Sequence, residues 1–286
     1  MTKDSQGTGK TVLITGASSG FGKAAAQHFL DSGWNVIATM RKPDASKFTA
    51  SESRLHVLAL DVTNKDSIDK AIEAGIAAFG AIDVLVNNAG IGLLSAFEVT
   101  PESLMREIFE TNTFGVMATC RAIIPHMRKR GSGTIINVTS SAAIAPMPLV
   151  AIYTASKCAV EGFSESLAYE MRQVGITVRL VEPGLAPSTE FGNNCSPLMQ
   201  GLTPAPYDAF ALEYMSKMQN YTTAYATEED ITEAVYAAAN DTSDRLRYPA
   251  GADSKMFGEL RWTTSEDNYM EKMREMFTSE VRVGVK

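Results

Sequence analysis

The sequence predicts an α/β fold, a parallel sheet with helices on both faces. Two patterns and one composition figure carry that prediction. Short β-rich runs alternate with amphipathic helical stretches over most of the 286 residues. The first run passes straight into a glycine-rich turn and then a helix. A hydrophobic content of 45% is ordinary for a globular chain with a substantial core.

In chain order, Lys10 to Thr15 reads as a buried strand. It runs into Gly16-Ala17-Ser18-Ser19-Gly20-Phe21-Gly22, and a helix from Lys23 to Asp31 follows, closed by Ser32-Gly33. Glycines at this spacing let the backbone turn tightly and let a pyrophosphate approach the helix N-terminus. Trp34 to Thr39 is the second strand. An acidic residue at its end would bind the ribose hydroxyls of NAD. This chain has Met40 there, followed by Arg41 and Lys42. A guanidinium binds a 2′-phosphate that a carboxylate would repel, so NADP(H) is favoured over NAD(H), with Arg41 as its partner.

Leu55 to Leu60 is the third strand and ends at Asp61-Val62. Asp61 either receives the adenine amino group or caps the helix that begins near Asn64. That helix, Lys65 to Phe79, is amphipathic and stops at Gly80. Ile82 to Val86 is the fourth strand, ending in Asn87-Asn88-Ala89-Gly90. Small residues there leave room for a ribose, and the amides satisfy backbone groups at strand ends. Two helical stretches are expected next, Pro101 to about Asn112 and Phe114 to Arg130. Thr134 to Val138 is the fifth strand, leading into Thr139-Ser140-Ser141. A helix carrying Tyr153 and Lys157 runs to about Val174. Ile176 to Val181 is the sixth strand, ending at Glu182-Pro183-Gly184. Regular alternation then lapses. Leu246 to Pro249 is a short edge strand, and one final helix lies between Glu259 and Phe277.

Tyr153 and Lys157, four residues apart, share one face of a helix. A phenol is a poor acid or base at neutral pH, with a pKa of about 10. A neighbouring ammonium favours the phenolate, which makes the pair usable in proton transfer near pH 7.

Composition narrows the function classes. A formal net charge of −7 argues against nucleic acid or an anionic membrane as partner. Cys120, Cys158 and Cys195 are widely spaced and suit a reducing compartment rather than a disulfide framework. His28, His56 and His126 are scattered, so no metal is expected. The N-terminus lacks the apolar core of a signal peptide, and no apolar run approaches the ~20 residues of a membrane span. The expectation is a cytoplasmic protein of one domain over residues 1–286.

The ordered set Thr15-Gly16-Ala17-Ser18-Ser19-Gly20-Phe21-Gly22, Asp61-Val62, Asn87-Asn88-Ala89-Gly90, Asn112, Ser140, Tyr153-x-x-x-Lys157 and Pro183-Gly184 resembles the short-chain dehydrogenase/reductase family in its compact form. The tail and the stretch after Pro183 look most like its hydroxysteroid-dehydrogenase-like branch. The resemblance implies a Rossmann-type, doubly wound, mostly seven-stranded sheet. It implies Tyr153 as acid or base, and Lys157 tuning it and holding the nicotinamide ribose. It implies Ser140 as donor to the substrate oxygen, with Ser141 the neighbouring alternative. It implies Asn112 holding a relay water, and a homodimer or homotetramer paired through Phe114–Arg130 and Ile152–Val174. A threonine usual after Pro-Gly in the family is displaced here, and either Ser188 or Thr189 would contact the nicotinamide.

Apart from the family, a serine and a tyrosine hydroxyl suit an oxygen that gains negative charge as hydride arrives at its carbon. A lid over about 189–227 carries Phe191, Leu198, Met199, Leu202, Tyr207, Phe210, Tyr214, Met215 and Met218. With Leu93, Leu94, Met147 and Leu149, these residues either line an apolar pocket or pack the lid onto the core. A C-terminal extension spans about 251–286. The reading is an NADP(H)-dependent oxidoreductase acting on a small-molecule ketone, aldehyde or alcohol of medium to bulky, apolar character. The alternative is a non-catalytic NADP(H)-binding sensor of the same fold.

Overall fold

The computed structural model describes residues 9–49, 53–186, 201–219 and 223–278. Seven strands form one sheet: β1 Thr11–Ile14, β2 Asn35–Met40, β3 Leu55–Ala59, β4 Val84–Asn87, β5 Gly133–Val138, β6 Ile176–Pro183 and β7 Arg247–Ala250. The order is β3-β2-β1-β4-β5-β6-β7 and every pairing is parallel. The chain winds outward from β1 to β3, then returns to the other side of β1 as β4. That reversal opens a crevice at the carboxyl ends of β1 and β4, where doubly wound sheets bind ligands.

Strand side chains divide by alternation. Val12 and Ile14 join one apolar layer with Phe29, Val36 and Ile231. Leu13 joins the opposite layer with Ile37, Leu85 and Ile135. Helices α1 Gly20–Asp31 and α8 Glu228–Asn240 cover the first layer. Helices α2 Lys65–Phe79, α4 Gly115–Arg130 and α6 Ala151–Arg172 cover the second. β1, β2 and β4 are buried along their whole length, whereas the edge strands β3 and β7 are only partly so. Pro249 sits on edge strand β7, where its missing N–H costs no ladder bond inside the sheet.

Five parts of the chain differ from the sequence reading. The two stretches expected on either side of Thr113 are one continuous run: α3 Glu102–Phe109, a π-helical turn Glu110–Phe114, and α4. The polar residues that suggest a break are bonded inward, since Thr113 donates to the Ser156 carbonyl and Asn112 is fully buried. The single C-terminal helix is two, α9 Ala252–Thr263 and α10 Glu266–Phe277. Ser265 caps the second by accepting from Asn268 N, with Glu266 and Asp267 in its first turn. Helix α8 fills part of the stretch where alternation lapsed, opened by a Thr227/Asp230 capping box. Short helix α5 Ser141–Ile144 follows β5, and lid helix α7 Ala205–Gln219 precedes α8.

Candidate active site

The carboxyl ends of β1, β4, β5 and β6 bring the predicted residues to one end of the sheet. After β1, the Thr15 hydroxyl accepts from Asn88 N and Ala89 N, both at 3.0 Å. Asn88 Nδ2 returns the contact, donating to the carbonyls of Thr15 at 3.0 Å and Gly16 at 3.2 Å. The glycine turn and the Asn88-Ala89 turn are thereby stitched together. Gly16 has φ +67°, and a Cβ there would lie 2.8 Å from Ala89 Cα. A Cβ on Gly22 would overlap the Gly16 carbonyl and the Asn88 amide.

Past that packed turn, the space is open. A Cβ on Gly20 would meet nothing within 4 Å. Ser19, the N-cap of α1, makes no side-chain capping bond, and the first turn carries no acidic residue. The amides that begin a helix are thus left for an anion. Ser18 and Ser19 are partly accessible beside them, and Phe21 packs on the first apolar layer. The turn is tied to β2 by Ala17 N donating to the Thr39 carbonyl at 2.9 Å, and Arg41 stands exposed one residue beyond β2. The uncapped start of α1 fits a pyrophosphate, and the exposed Arg41 fits a further phosphate near the end of β2.

Asp61 and Val62 follow β3. The Asp61 carboxylate accepts from Thr63 N at 2.9 Å and the Thr63 hydroxyl at 2.8 Å. Helix α2 is capped instead by Asn64, which accepts from Ser67 N at 3.1 Å. Val62 is buried against Gly115.

The second group of residues gathers on α6. Lys157 is 5% exposed, and its Nζ donates to the Val138 carbonyl at 3.1 Å. Nζ also lies 5.9 Å from the centroid of the Tyr153 ring. Burial pulls Lys157 down to about 8, and the Glu161 carboxylate partly opposes it. A Cβ on Gly90 would stand 3.2 Å from Asn112 Oδ1 and 3.4 Å from Lys157 Nζ, so Gly90 leaves the ammonium uncovered on that side. Asn112 Oδ1 accepts from Ile91 N at 2.8 Å, while Nδ2 donates to the Ile91 carbonyl at 2.8 Å and to Ser156 Oγ at 3.2 Å. The amide therefore pins the turn after Gly90 to α6, from within the π-helical turn.

Ser140 caps α5, its Oγ accepting from Ala142 N at 3.1 Å. Capping uses one lone pair and leaves the O–H to donate elsewhere. Ser140 is partly accessible, whereas Ser141 is 1% exposed. Between Ser140 and Tyr153, Leu149 holds a left-handed φ of +62°, and its carbonyl accepts from Ser95 N at 2.7 Å.

The family model for the short chain dehydrogenases matches residues 10–197, well over half of this chain. The chain belongs to the short-chain dehydrogenase family. A 3-ketodihydrosphingosine reductase of Bacteroides thetaiotaomicron is 44% identical over 173 residues, covering 60% of this chain and 62% of that protein. An uncharacterized oxidoreductase of Bacillus subtilis is 36% identical over 260 residues, covering 86% and 91%. Retinol dehydrogenase 8 of Bos taurus is 38% identical over 184 residues, covering 61% and 58%. The aligned stretch is thus less than two thirds of the first and third of these relatives. Among solved structures, a short-chain dehydrogenase from Streptomyces avermitilis aligns with TM-score 0.75 at 31% identity, covering 94% of both chains. ElxO with NADP bound aligns at 0.71 and 27%, covering 84% of this chain and 97% of that one. A 3-ketoacyl-(acyl-carrier-protein) reductase from Brucella melitensis complexed with NADH aligns at 0.67 and 27%, covering 84% and 96%.

In this short-chain dehydrogenase, Pro183 ends β6 and Gly184 N donates to the Ala250 carbonyl at 2.8 Å. A Cβ on Gly184 would collide with the Asp253 carboxylate, which also accepts from Leu185 N at 2.6 Å. Sequence reasoning missed Asp253, whose only local signal is its place in the first turn of a helix. It also missed Thr139, Glu161, Glu182 and Arg247, a buried charged group assembled from two helix-and-strand neighbourhoods and an edge strand. Ser188 and Thr189 lie outside the described residues, as do Phe191, Leu198 and Met199. Of the remaining lid residues, Leu202 is buried with Leu93 against Tyr153, and Tyr214 packs edge-on to Phe277 with ring centroids 6.0 Å apart. Met215 is exposed. No helix among the described residues is long and apolar enough to cross a membrane.

Proposed function

We propose that this chain is an NADP(H)-dependent oxidoreductase that interconverts an apolar ketone or aldehyde and the corresponding alcohol, with Tyr153 as acid or base. The observation that carries the reading is the Lys157 ammonium held by the Val138 carbonyl within 5.9 Å of the Tyr153 ring. The α1 N-terminus, Ser18, Ser19 and Arg41 would hold the phosphates, and Asn88, Ala89, Gly90 and Gly184 would flank the nicotinamide half. When bound, the nicotinamide supplies a hydride in reduction and takes one in oxidation. Tyr153 gives its phenolic proton to the carbonyl oxygen in reduction and takes the alcohol proton in oxidation. Ser140 donates its O–H to the same oxygen as negative charge develops there. Lys157 favours the phenolate left behind.

NADP(H) over NAD(H) rests on Arg41 and on the absence of an acidic residue at the end of β2. The apolar substrate class rests on the surroundings of Tyr153. Tyr153 packs against an apolar cluster of Leu93, Leu104, Ile108 and Leu202. The loop after Ser140 enters a second apolar cluster through Ile144 and Met147, with Tyr214, Phe257 and Phe277. Two relatives' names, a ketone reductase and a retinol dehydrogenase, support a carbonyl or alcohol on such a substrate. The same reading pairs two copies through α4 and α6, near which Phe114 and Tyr169 are exposed large side chains. Light scattering at micromolar concentration would return a dimer or tetramer, and a monomer would remove that part.

The test follows NADPH absorbance with a panel of apolar ketones and aldehydes. Turnover is expected, and Tyr153→Phe abolishes it while leaving NADPH binding nearly intact. Retained activity in Tyr153→Phe would remove Tyr153 from its role. Cofactor binding without turnover on any member of the panel would favour the sensor.

A further inference from the structure

One helical turn beyond Lys157, Glu161 stands on the same side of α6. Its side chain is 10% exposed. A carboxylate so buried is costly unless it is paired and hydrogen-bonded. Glu161 is both. The Thr139 hydroxyl donates to its Oε1, and the Arg247 guanidinium donates to its Oε2. Arg247 arrives from β7 and also pairs with Glu182 of β6 and Glu165 of α6. Three carboxylates around one guanidinium leave an excess of negative charge.

Their surroundings decide which of them keeps it. Glu182 is 0% exposed, and its Oε2 makes no hydrogen bond among the described residues. Burial, and then the neighbouring Glu161, push Glu182 up to about 7. Burial also raises Glu161, but Arg247 and the Thr139 hydroxyl pull it back. Glu182 Oε2 is thus the oxygen left without a donor, whereas both oxygens of Glu161 are held by donors that favour its anion.

We propose that Glu161 is a positioning residue for the reaction: clamped by Thr139 and Arg247, its carboxylate sets the pH at which the Tyr153–Lys157 pair gives up a proton. The inference rests on the acid–base reading of that pair. Removing a negative charge makes proton loss easier for its neighbours, and for two coupled groups the shift belongs to the pair. The charged or titratable groups facing Glu161 are Lys157, Cys158 and Glu165 on its own helix, Glu182 on β6 and Arg247 on β7. Arg245 faces Glu182, and Arg261 of α9 faces Cys158.

The experiment is the pH dependence of kcat/KM for carbonyl reduction by the full chain with NADPH. Glu161→Gln is expected to move the high-pH fall downward by about one unit, a tenfold change in proton affinity. Glu161→Asp keeps the charge and returns most of the shift. Glu165→Gln removes a carboxylate on the same guanidinium, but one that is half exposed and another turn away, so it moves the fall by less than Glu161→Gln does. A Glu161→Gln enzyme that is slower with its profile unmoved would show a merely structural role and overturn the proposal. Should Glu161→Gln fail to fold, Glu161→Ala removes the same charge without leaving a buried amide. It must then move the profile in the same direction, and an unmoved profile overturns the proposal equally. Wild-type turnover that Tyr153→Phe abolishes establishes the acid–base reading independently. Its absence sinks both readings, whereas its presence leaves the Glu161→Gln profile to judge this one alone.

Discussion

On the β1–β4 side of the site, position is set by backbone and by polar side chains bonded to backbone. Thr15 and Asn88 exchange hydrogen bonds across two strand ends, and Gly16 and Gly22 are packed too closely to admit a Cβ. On the β6–β7 side, position is set by apolar contact between segments far apart in the chain. Tyr214 of α7, Phe257 of α9 and Phe277 of α10 meet Ile144 and Met147 beyond Ser140. The first kind of construction tolerates almost no change of residue type, because its partners are main-chain atoms. The second tolerates exchange among side chains of similar volume. A dinucleotide site demands the first and a variable substrate site permits the second.

The sharpest way to break that contrast is to damage the apolar side alone. Phe277 is 2% exposed, so Phe277→Ala should cost roughly 3–5 kcal/mol. The loss should be local: faster hydrogen exchange in α7 and α10, a raised KM for apolar ketones and unchanged NADPH affinity. Loss of NADPH affinity in step with stability would mean that the two sides are one cooperative unit. Ser140 stands at the border between them. Ser140→Ala should lower turnover by ~10²–10³, as expected for a donor to a developing oxyanion. Ser141→Ala, at a buried neighbour, should not. The reverse ranking would move the substrate oxygen to the other serine.

The same contrast explains what could be read from residues alone. Strand ends, the glycine turn and the Tyr153/Lys157 pair depend on local spacing and on backbone rules, and those are written in short windows. All seven strands lie within a residue or two of where β-rich runs place them. The π-helical turn was not visible, because Asn112 and Thr113 are satisfied by Ile91 and Ser156, which no local window contains. The charged group around Arg247 was invisible for the same reason. Glu161, Glu182 and Arg247 come from three elements, and each alone reads as a solvated charge. Helices α8 and α10 did carry local signals, Thr227 with Asp230 and Ser265 with Glu266 and Asp267, which capping rules would have found.

On the dinucleotide side, the proposed partner of a 2′-phosphate is Arg41, exposed just beyond β2. Arg41→Ala should weaken NADPH by ~10–100-fold, the ~1.5–3 kcal/mol of hydrogen bonds to a charged group, and leave NADH nearly unchanged. Equal loss for both cofactors in a binding titration would refute the phosphate assignment and leave the exposed Arg41 as a solvated residue.

The last effect concerns Lys157, where the two sides meet, and it is read from a trend with pH rather than from a single loss. Burial places its folded-state value near 8, below the 10.5 of an ordinary lysine. Between those values the unfolded chain binds more protons than the folded one, so this group makes unfolding harder as pH rises from 8 to 10.5. Below 8 both states are protonated, and the full cost of a buried ammonium is present and constant. Lys157→Met removes the titrating group and keeps much of the volume. Its melting temperature relative to wild type should therefore be most favourable below pH 8 and should fall steadily toward pH 10.5. Thermal melts at several pH values in one buffer series would measure it. A difference that stays constant across that window would mean that Lys157 titrates as a solvated lysine, and its ammonium would then lack the desolvation that lets it act strongly on Tyr153.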